Sequence, residues 1–336
     1  MDTKTARERW YTACREAASR ISRTIPAPYR SRTFSGIIGD IKALTPKQAL
    51  SLCSRKKGLG RQYAFGYLAT GVDDGRGYQA CAATALDYVL KNREPDALGE
   101  SILDVGCAVG VTGGVLGREN IVGFDLFIDL IRAARVVDSL AGRQNAYVVA
   151  DMTRDWPFEG GFDTVVSGLV CHHLKTQAEV SRFFRNTNRV LKNDGSLIVT
   201  FPAGTIASAG ILRDVCEGLR SFGFADSPDT TGLVVSADNP HALFWMFLLH
   251  ARKRSQPVSN IFIDRSFAFP AVRTPVSRVE KSSRARIVRG HERRVVHERF
   301  RLVPLDELTE LAGDDRALTF DAVREIAGTF ADRAGD

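Results

Sequence analysis

Three carboxylates stand where short apolar runs of this chain come to an end. Asp104 lies in residues 101–105 (SILDV), Asp125 closes residues 120–125 (NIVGFD), and Asp151 follows residues 146–150 (AYVVA). Between the first two runs the segment Leu103-Asp104-Val105-Gly106-Cys107-Ala108-Val109-Gly110 leads into helix-forming residues. Glycines at a strand-to-helix turn let the backbone approach a ligand, and the helix start offers unpaired N–H groups. A pyrophosphate would ask for G-x-G-x-x-G, whereas here Gly106 is followed by Cys107-Ala108. Asp104 is also a poor neighbour for a phosphate and a good one for a cation. Asp125, 21 residues beyond Asp104, is placed to accept both hydroxyls of a ribose. The Asp151 carboxylate can accept from an adenine amino group while the Met152 backbone N–H donates to the ring. Together these groups describe a nucleoside with a cationic, amino-acid-like arm and no phosphates.

The elements that must hold these residues alternate in type. Apolar, β-branched runs at 101–105, 120–125, 146–150, 162–167 and 196–201 predict strands, and 126–140, 177–191 and 211–222 predict helices between them. Strands apolar throughout, alternating with helices, imply a parallel sheet covered on both faces. Residues 232–236 and 242–250, joined by Asp238-Asn239-Pro240, read as an antiparallel hairpin that closes the sheet. Asn193-Asp194-Gly195 reads as a turn before the fifth strand. Residues 63–80, where Tyr63, Phe65, Tyr67 and Tyr78 mingle with glycines, read as turn-rich and unlike a plain helix. Residues 81–91 return to helical spacing.

Residues from about 80 to 255 resemble a class I S-adenosylmethionine (SAM)-dependent methyltransferase of the small-molecule branch. LDVGCAVG is similar to the family's first motif and VGFDLFIDLIRAAR to its second strand and helix. VVADMTRDWPFEGGFDTVVSGLVCHHL resembles the third and fourth strands, and RVLKNDGSLIVTFP the next helix and fifth strand. Ala108 departs from the family, which often has Gly there. The resemblance implies a Rossmann-like seven-stranded mixed sheet with helices on both faces, flanked by N- and C-terminal extensions. The expected division is a helical N-terminal extension or lid at 1–80, a cofactor-binding core at 81–255 and an extension at 256–336. By resemblance, Gly106, Cys107 and Gly110 pass the methionine arm and Asp104 orients it. Asp125 and Leu126 take the ribose, Asp151 and Met152 the adenine, and Ser167, Gly168 and Leu169 line the transferring methyl. S-adenosyl-L-homocysteine (SAH) would be the product. Cys171-His172-His173 lie just past the fourth strand, and His172 and His173 are candidate general bases. The competing reading makes them a strand-end pair that caps the next helix or packs under the cofactor.

Composition narrows the setting. The 336 residues are 44% hydrophobic and 25% charged, which excludes wholesale disorder and fibrous architectures. The six cysteines are scattered, with no C-x-x-C and no zinc spacing, so free thiols in a reducing cytoplasm and no metal are expected. The aromatic-aliphatic run around FWMFLL is about half the length of a membrane span. Net charge is +7, unevenly placed: 273–301 holds ten Lys/Arg against three Glu, and 302–336 holds nine Asp/Glu against three Arg. The basic block either tracks the phosphates of RNA or forms a solvated face that pairs with the acidic tail. The leading expectation is an enzyme that methylates an O, N or C atom of a small molecule. The alternatives are an RNA or protein methyltransferase using 273–301, or a non-catalytic scaffold that keeps the fold. A homodimer through the terminal extensions is a further expectation.

Overall fold

The computed structural model describes residues 3–42, 44–56, 58–75, 77–203, 209–236, 244–254, 299–312 and 323. Five parallel strands form the heart of the sheet: β1 (Ile102–Val105), β2 (Ile121–Asp125), β3 (Ala146–Val149), β4 (Phe162–Gly168) and β5 (Leu191–Pro202). Four antiparallel strands follow: β6 (Phe224–Asp226), β7 (Gly232–Ser236), β8 (Phe244–Lys253) and β9 (Arg301–Pro304). The order across the sheet is β3-β2-β1-β4-β5-β8-β7-β9, with β6 paired to β8. The sheet thus has nine strands among the described residues where the sequence predicts seven. β6 and β9, at three and four residues, are too short to carry a periodic signal. The expected hairpin is present as β7 and β8, and its connection at 237–243 lies outside the described residues.

The helices are α1 (Thr3–Thr24), α2 (Ala27–Arg30), α3 (Phe34–Lys42), α4 (Pro46–Arg55), α5 (Leu59–Gly66), α6 (Tyr78–Arg93), α7 (Val111–Leu116), α8 (Ile128–Ala141), α9 (Gln177–Val190), α10 (Ala209–Arg220) and α11 (Leu305–Ala312). Side chains alternate along each strand, so one set of residues faces each layer. Leu103, Val165, Leu197, Val199, Phe247 and Leu249 pack with Phe183, Phe184, Leu212 and Leu308 from α9, α10 and α11. Ile102, Val166, Ile198, Met246 and Leu248 pack with Ala82, Leu86, Val89 and Leu90 of α6. Both faces are dry, which accounts for the uninterrupted apolar runs in the sequence. No helix of the described residues is long and apolar enough to cross a membrane, and all six cysteines are free thiols.

Two expectations need revision, and a third falls mostly outside the described residues. Residues 63–80 are largely helical: α5 runs into a π-turn (Tyr67–Val72) and a 3₁₀ turn (Asp73–Gly75) before α6 begins. Packing overrides the glycine content here, because the rings of Tyr63 and Tyr67 meet each other at 5.2 Å and both meet Phe34. Asn193-Asp194-Gly195 does not interrupt the fifth strand but forms a bulge within it. Phe162 pairs with Leu191 and Thr164 already with Ser196, and Asp194 takes a left-handed φ of 61°. The basic block 273–301 lies outside the described residues up to 298. Its end is joined to the acidic tail, since Arg301 of β9 pairs with Glu307 of α11.

The N-terminal helices dock on the sheet's helical layer rather than standing apart. Trp10, Ala13, Cys14 and Ala17 share one face of α1 and are buried against α7 and α8. The Trp10 indole lies over Gly114, where an added Cβ would sit 2.0 Å from Cε2. Trp10→Ala should therefore destabilise the protein by about 3–5 kcal/mol, and Gly114→Ala by about 1–3 kcal/mol, in urea unfolding. A loss below about 1 kcal/mol for Trp10→Ala would mean that α1 is not docked.

Candidate cofactor and active site

The chain order of the sheet reverses between β1 and β4, and a crevice opens beyond the carboxyl ends of strands at such a point. The turn after β1 is built from left-handed residues. Gly106, Ala108 and Gly110 have φ of 72°, 49° and 79°. At Gly106 a Cβ would meet Val170 Cγ2 at 2.5 Å, so the backbone there passes closer to the end of β4 than any other residue would allow. The Gly106 and Cys107 N–H groups both donate to the Phe124 carbonyl, at 2.8 and 3.0 Å, tying the turn to β2.

Two carboxylates lie beneath this turn. Asp104 is 2% exposed and bonded to the Thr112 hydroxyl at the start of α7. Burial pushes its carboxyl up to about 7 against that hydrogen bond, and nearby Asp125 adds to the rise. Asp125 ends β2. Its Oδ2 accepts from the Ala108 N–H at 3.1 Å and its Oδ1 from the Phe127 N–H at 3.0 Å, and the Leu126 N–H also points to it. Burial raises Asp125 to about 6, and these backbone donors hold it from rising further. Neither carboxylate has an ion pair among the described residues.

A cavity lies above the turn. Gly106, Cys107, Ala108, Val111 and Thr112 line it from below, with Gly168, Leu169 and Thr200 from the ends of β4 and β5. Leu169, with a left-handed φ of 56°, is held by Thr200, whose carbonyl and hydroxyl accept from its N–H at 2.9 and 3.2 Å. The far wall comes from the N-terminal arm: Tyr67 of the π-turn, and Gln79, Ala82, Ala83 and Leu86 of α6. Tyr67 belongs to the aromatic group of the segment expected as a possible lid, whereas Gln79, Thr112 and Thr200 carry no expectation from the sequence. The spacing 79, 82, 83, 86 marks one helix face, and it was the signal available for Gln79.

Other expected site residues sit differently. The Asp151 carboxylate closes its own turn, accepting from Thr153 N–H at 2.9 Å and from the Thr153 hydroxyl at 2.7 Å, with Arg154 Nε 3.6 Å away. The Met152 carbonyl accepts from Trp156 Nε1 at 3.1 Å. The Ser167 hydroxyl is fully buried against Cys171 Sγ at 3.2 Å, which leaves its neighbours Gly168 and Leu169 to face the cavity. Gly110 fits over the Tyr147 hydroxyl. His172 and His173 follow on a 3₁₀ turn (Cys171–His173), with ring centroids 4.1 Å apart, and neither lines the cavity.

The electrostatics give a test without ligand. At pH 8 Asp104 is ionised in a site that disfavours its charge, whereas below about pH 6 it is protonated in the folded state. Asp104→Asn should therefore melt about 2 °C or more above the parent at pH 8, and the difference should shrink as pH falls toward 6. Equal melting at both pH values would show that the Asp104 charge is not strained.

Residues 103–199 match the family model described as a methyltransferase domain. No curated protein matches the chain. Among solved structures it is similar to magnesium protoporphyrin IX methyltransferase from Synechocystis with bound SAM, at 17% identity and a TM-score of 0.45, covering 62% of this chain and 98% of that one. A TehB-like SAM-dependent methyltransferase from Corynebacterium glutamicum is similar at 23% identity and 0.38, over 51% and 88%. A [4+2]-cyclase is similar at 20% identity and 0.40, over 56% and 86%. The match places a methyltransferase domain at residues 103–199, the stretch from β1 to β5 that carries the turn and both carboxylates.

Proposed function

We propose that the chain transfers a methyl group to an O, N or C atom of a small-molecule acceptor by in-line displacement. The observation that carries this reading is the cavity beyond β1, β4 and β5, walled on its far side by α6 and the π-turn of the same chain. The residues present fit the cofactor, because two carboxylates are desolvated beside a close-passing backbone turn with no ion-paired cation among the described residues. Such groups favour a cationic ligand. When bound, SAM supplies a methyl on sulfonium, and the protein's part is position and a dry cavity. In this reading Asp104 orients the amino-acid arm and Asp125 takes the ribose hydroxyls, with Leu126 beside it. Asp151 and Met152 border the adenine, and Gly168 and Leu169 lie by the transferring methyl.

The ionisable groups on the cavity wall are held protonated. Burial pushes the Tyr67 phenol and the Cys107 thiol well above their ordinary ranges. Neither is a base at neutral pH, so the acceptor that suits this wall arrives with a lone pair already available, as an amine or an ionised oxygen does. His172 and His173 stay the candidate bases for an acceptor that must lose a proton.

Calorimetric titration with SAH at low and high salt, with and without bulk RNA, tests the reading. Micromolar binding indifferent to RNA is expected. Salt-sensitive RNA association would instead favour a nucleic-acid acceptor held by residues 273–301. Folded protein that takes up no SAH would leave the scaffold reading. Asp125→Ala should weaken SAH by about 10- to 100-fold through loss of charge-assisted hydrogen bonds, and unchanged affinity in a folded variant would remove Asp125 from the ribose site.

A further inference from the structure

The wall that α6 gives to the cavity is apolar apart from one group. Ala82, Ala83 and Leu86 present methyl and methylene surface, and Gln79, one turn nearer the helix start, presents a carboxamide. Its position depends on two glycines. A Cβ on Gly77 would lie 2.0 Å from the Gly71 carbonyl oxygen, so the π-turn and the start of α6 touch backbone to backbone. The Gly77 N–H closes the same bend by donating to the Val72 carbonyl at 3.0 Å. A Cβ on Gly71 would lie 2.8 Å from Gln79 Oε1 and 3.4 Å from Tyr67 Cδ1. The bare face of Gly71 is thus the space that the Gln79 carboxamide and the Tyr67 ring share at the cavity wall. π-turns of this kind recur where a helix is bent to place functional groups.

The amino-acid arm of SAM carries an ammonium and a carboxylate on one carbon. Asp104, bonded to the lining residue Thr112, complements the ammonium and repels the carboxylate. The carboxylate needs a donor. The described residues lining the cavity include no Lys or Arg, and Gln79 brings the long N–H donor among them. We propose that Gln79 is a positioning residue whose Nε2 donates to the carboxylate of the cofactor's amino-acid arm, opposite in role to Asp104. This rests on the cofactor placement proposed above. It makes the N-terminal arm part of the cofactor site, with Gly71 and Gly77 as the residues that let the carboxamide in.

The test compares two ligands by calorimetry: SAH, which has the arm, and 5′-methylthioadenosine, which lacks it. Gln79→Leu should weaken SAH about tenfold and leave 5′-methylthioadenosine within about twofold, as expected for one hydrogen bond to a charged group. Gln79→Glu should weaken SAH further, by setting carboxylate against carboxylate. Gly71→Ala should weaken SAH selectively and by less, because it displaces the carboxamide while keeping it. Equal weakening of both ligands by Gln79→Leu, or no weakening of SAH, would overturn the assignment while leaving the methyltransferase reading intact. A parent protein that binds 5′-methylthioadenosine and SAH equally well would overturn it too. A parent protein that binds neither would overturn the cofactor reading and this proposal together.

Discussion

The withdrawal of Asp104 and Asp125 from water, at the ends of adjacent parallel strands, is the constraint on which the site depends. Desolvation is the largest influence on each carboxyl, and the surrounding structure limits that cost without removing it. Three backbone N–H groups gather on Asp125, and one of them belongs to Ala108, which must take a left-handed φ to point there. The strained turn and the buried charge therefore support each other: the turn supplies a donor, and the carboxylate fixes the turn. A site held this way is preorganised before any ligand arrives, at the expense of stability in its absence.

The N-terminal helices complete the enclosure. Tyr63 is buried beside Phe127, with ring centroids 5.5 Å apart, and its hydroxyl bonds that of Tyr67. This aromatic group stands close enough to Asp125 for the carboxylate to raise both phenols further. The arm that shields the carboxylates from solvent thus also provides one wall of the cavity.

Much of this was legible in the chain. Runs such as SILDV and SLIVTF carry apolar residues toward both faces because each strand is covered twice, and such runs can be read without knowing what covers them. Asp104 and Asp125 were legible because a carboxylate at the end of an apolar strand is conspicuous by type. Gln79 and Thr200 were not, since their places in the cavity wall arise from contacts between segments far apart in sequence, and no local pattern marks a π-turn closed by Gly71 against Gly77. Asp151 shows the opposite case. Its bond to the backbone two residues on is a local habit of aspartate, and Thr153 two places later was the sign of it. Residues 193–195 illustrate a further limit, because Asn-Asp-Gly favours a left-handed residue without specifying whether a turn or a bulge will use it.

The outer edge of the sheet has a bearing on synthesis. β7 lies between β8, which follows it directly, and β9, which comes from residues 301–304. During translation β7 and β8 can pair as soon as both have left the ribosome. The other side of β7 keeps its hydrogen-bonding groups open while the intervening sixty-odd residues are made. An apolar strand with an unpaired edge is a template for a neighbouring chain. The nascent protein is thus exposed to edge-to-edge association for that interval, and chaperone protection would matter most there. Truncation before Arg301, which removes every β9 partner of β7, would make this transient state permanent.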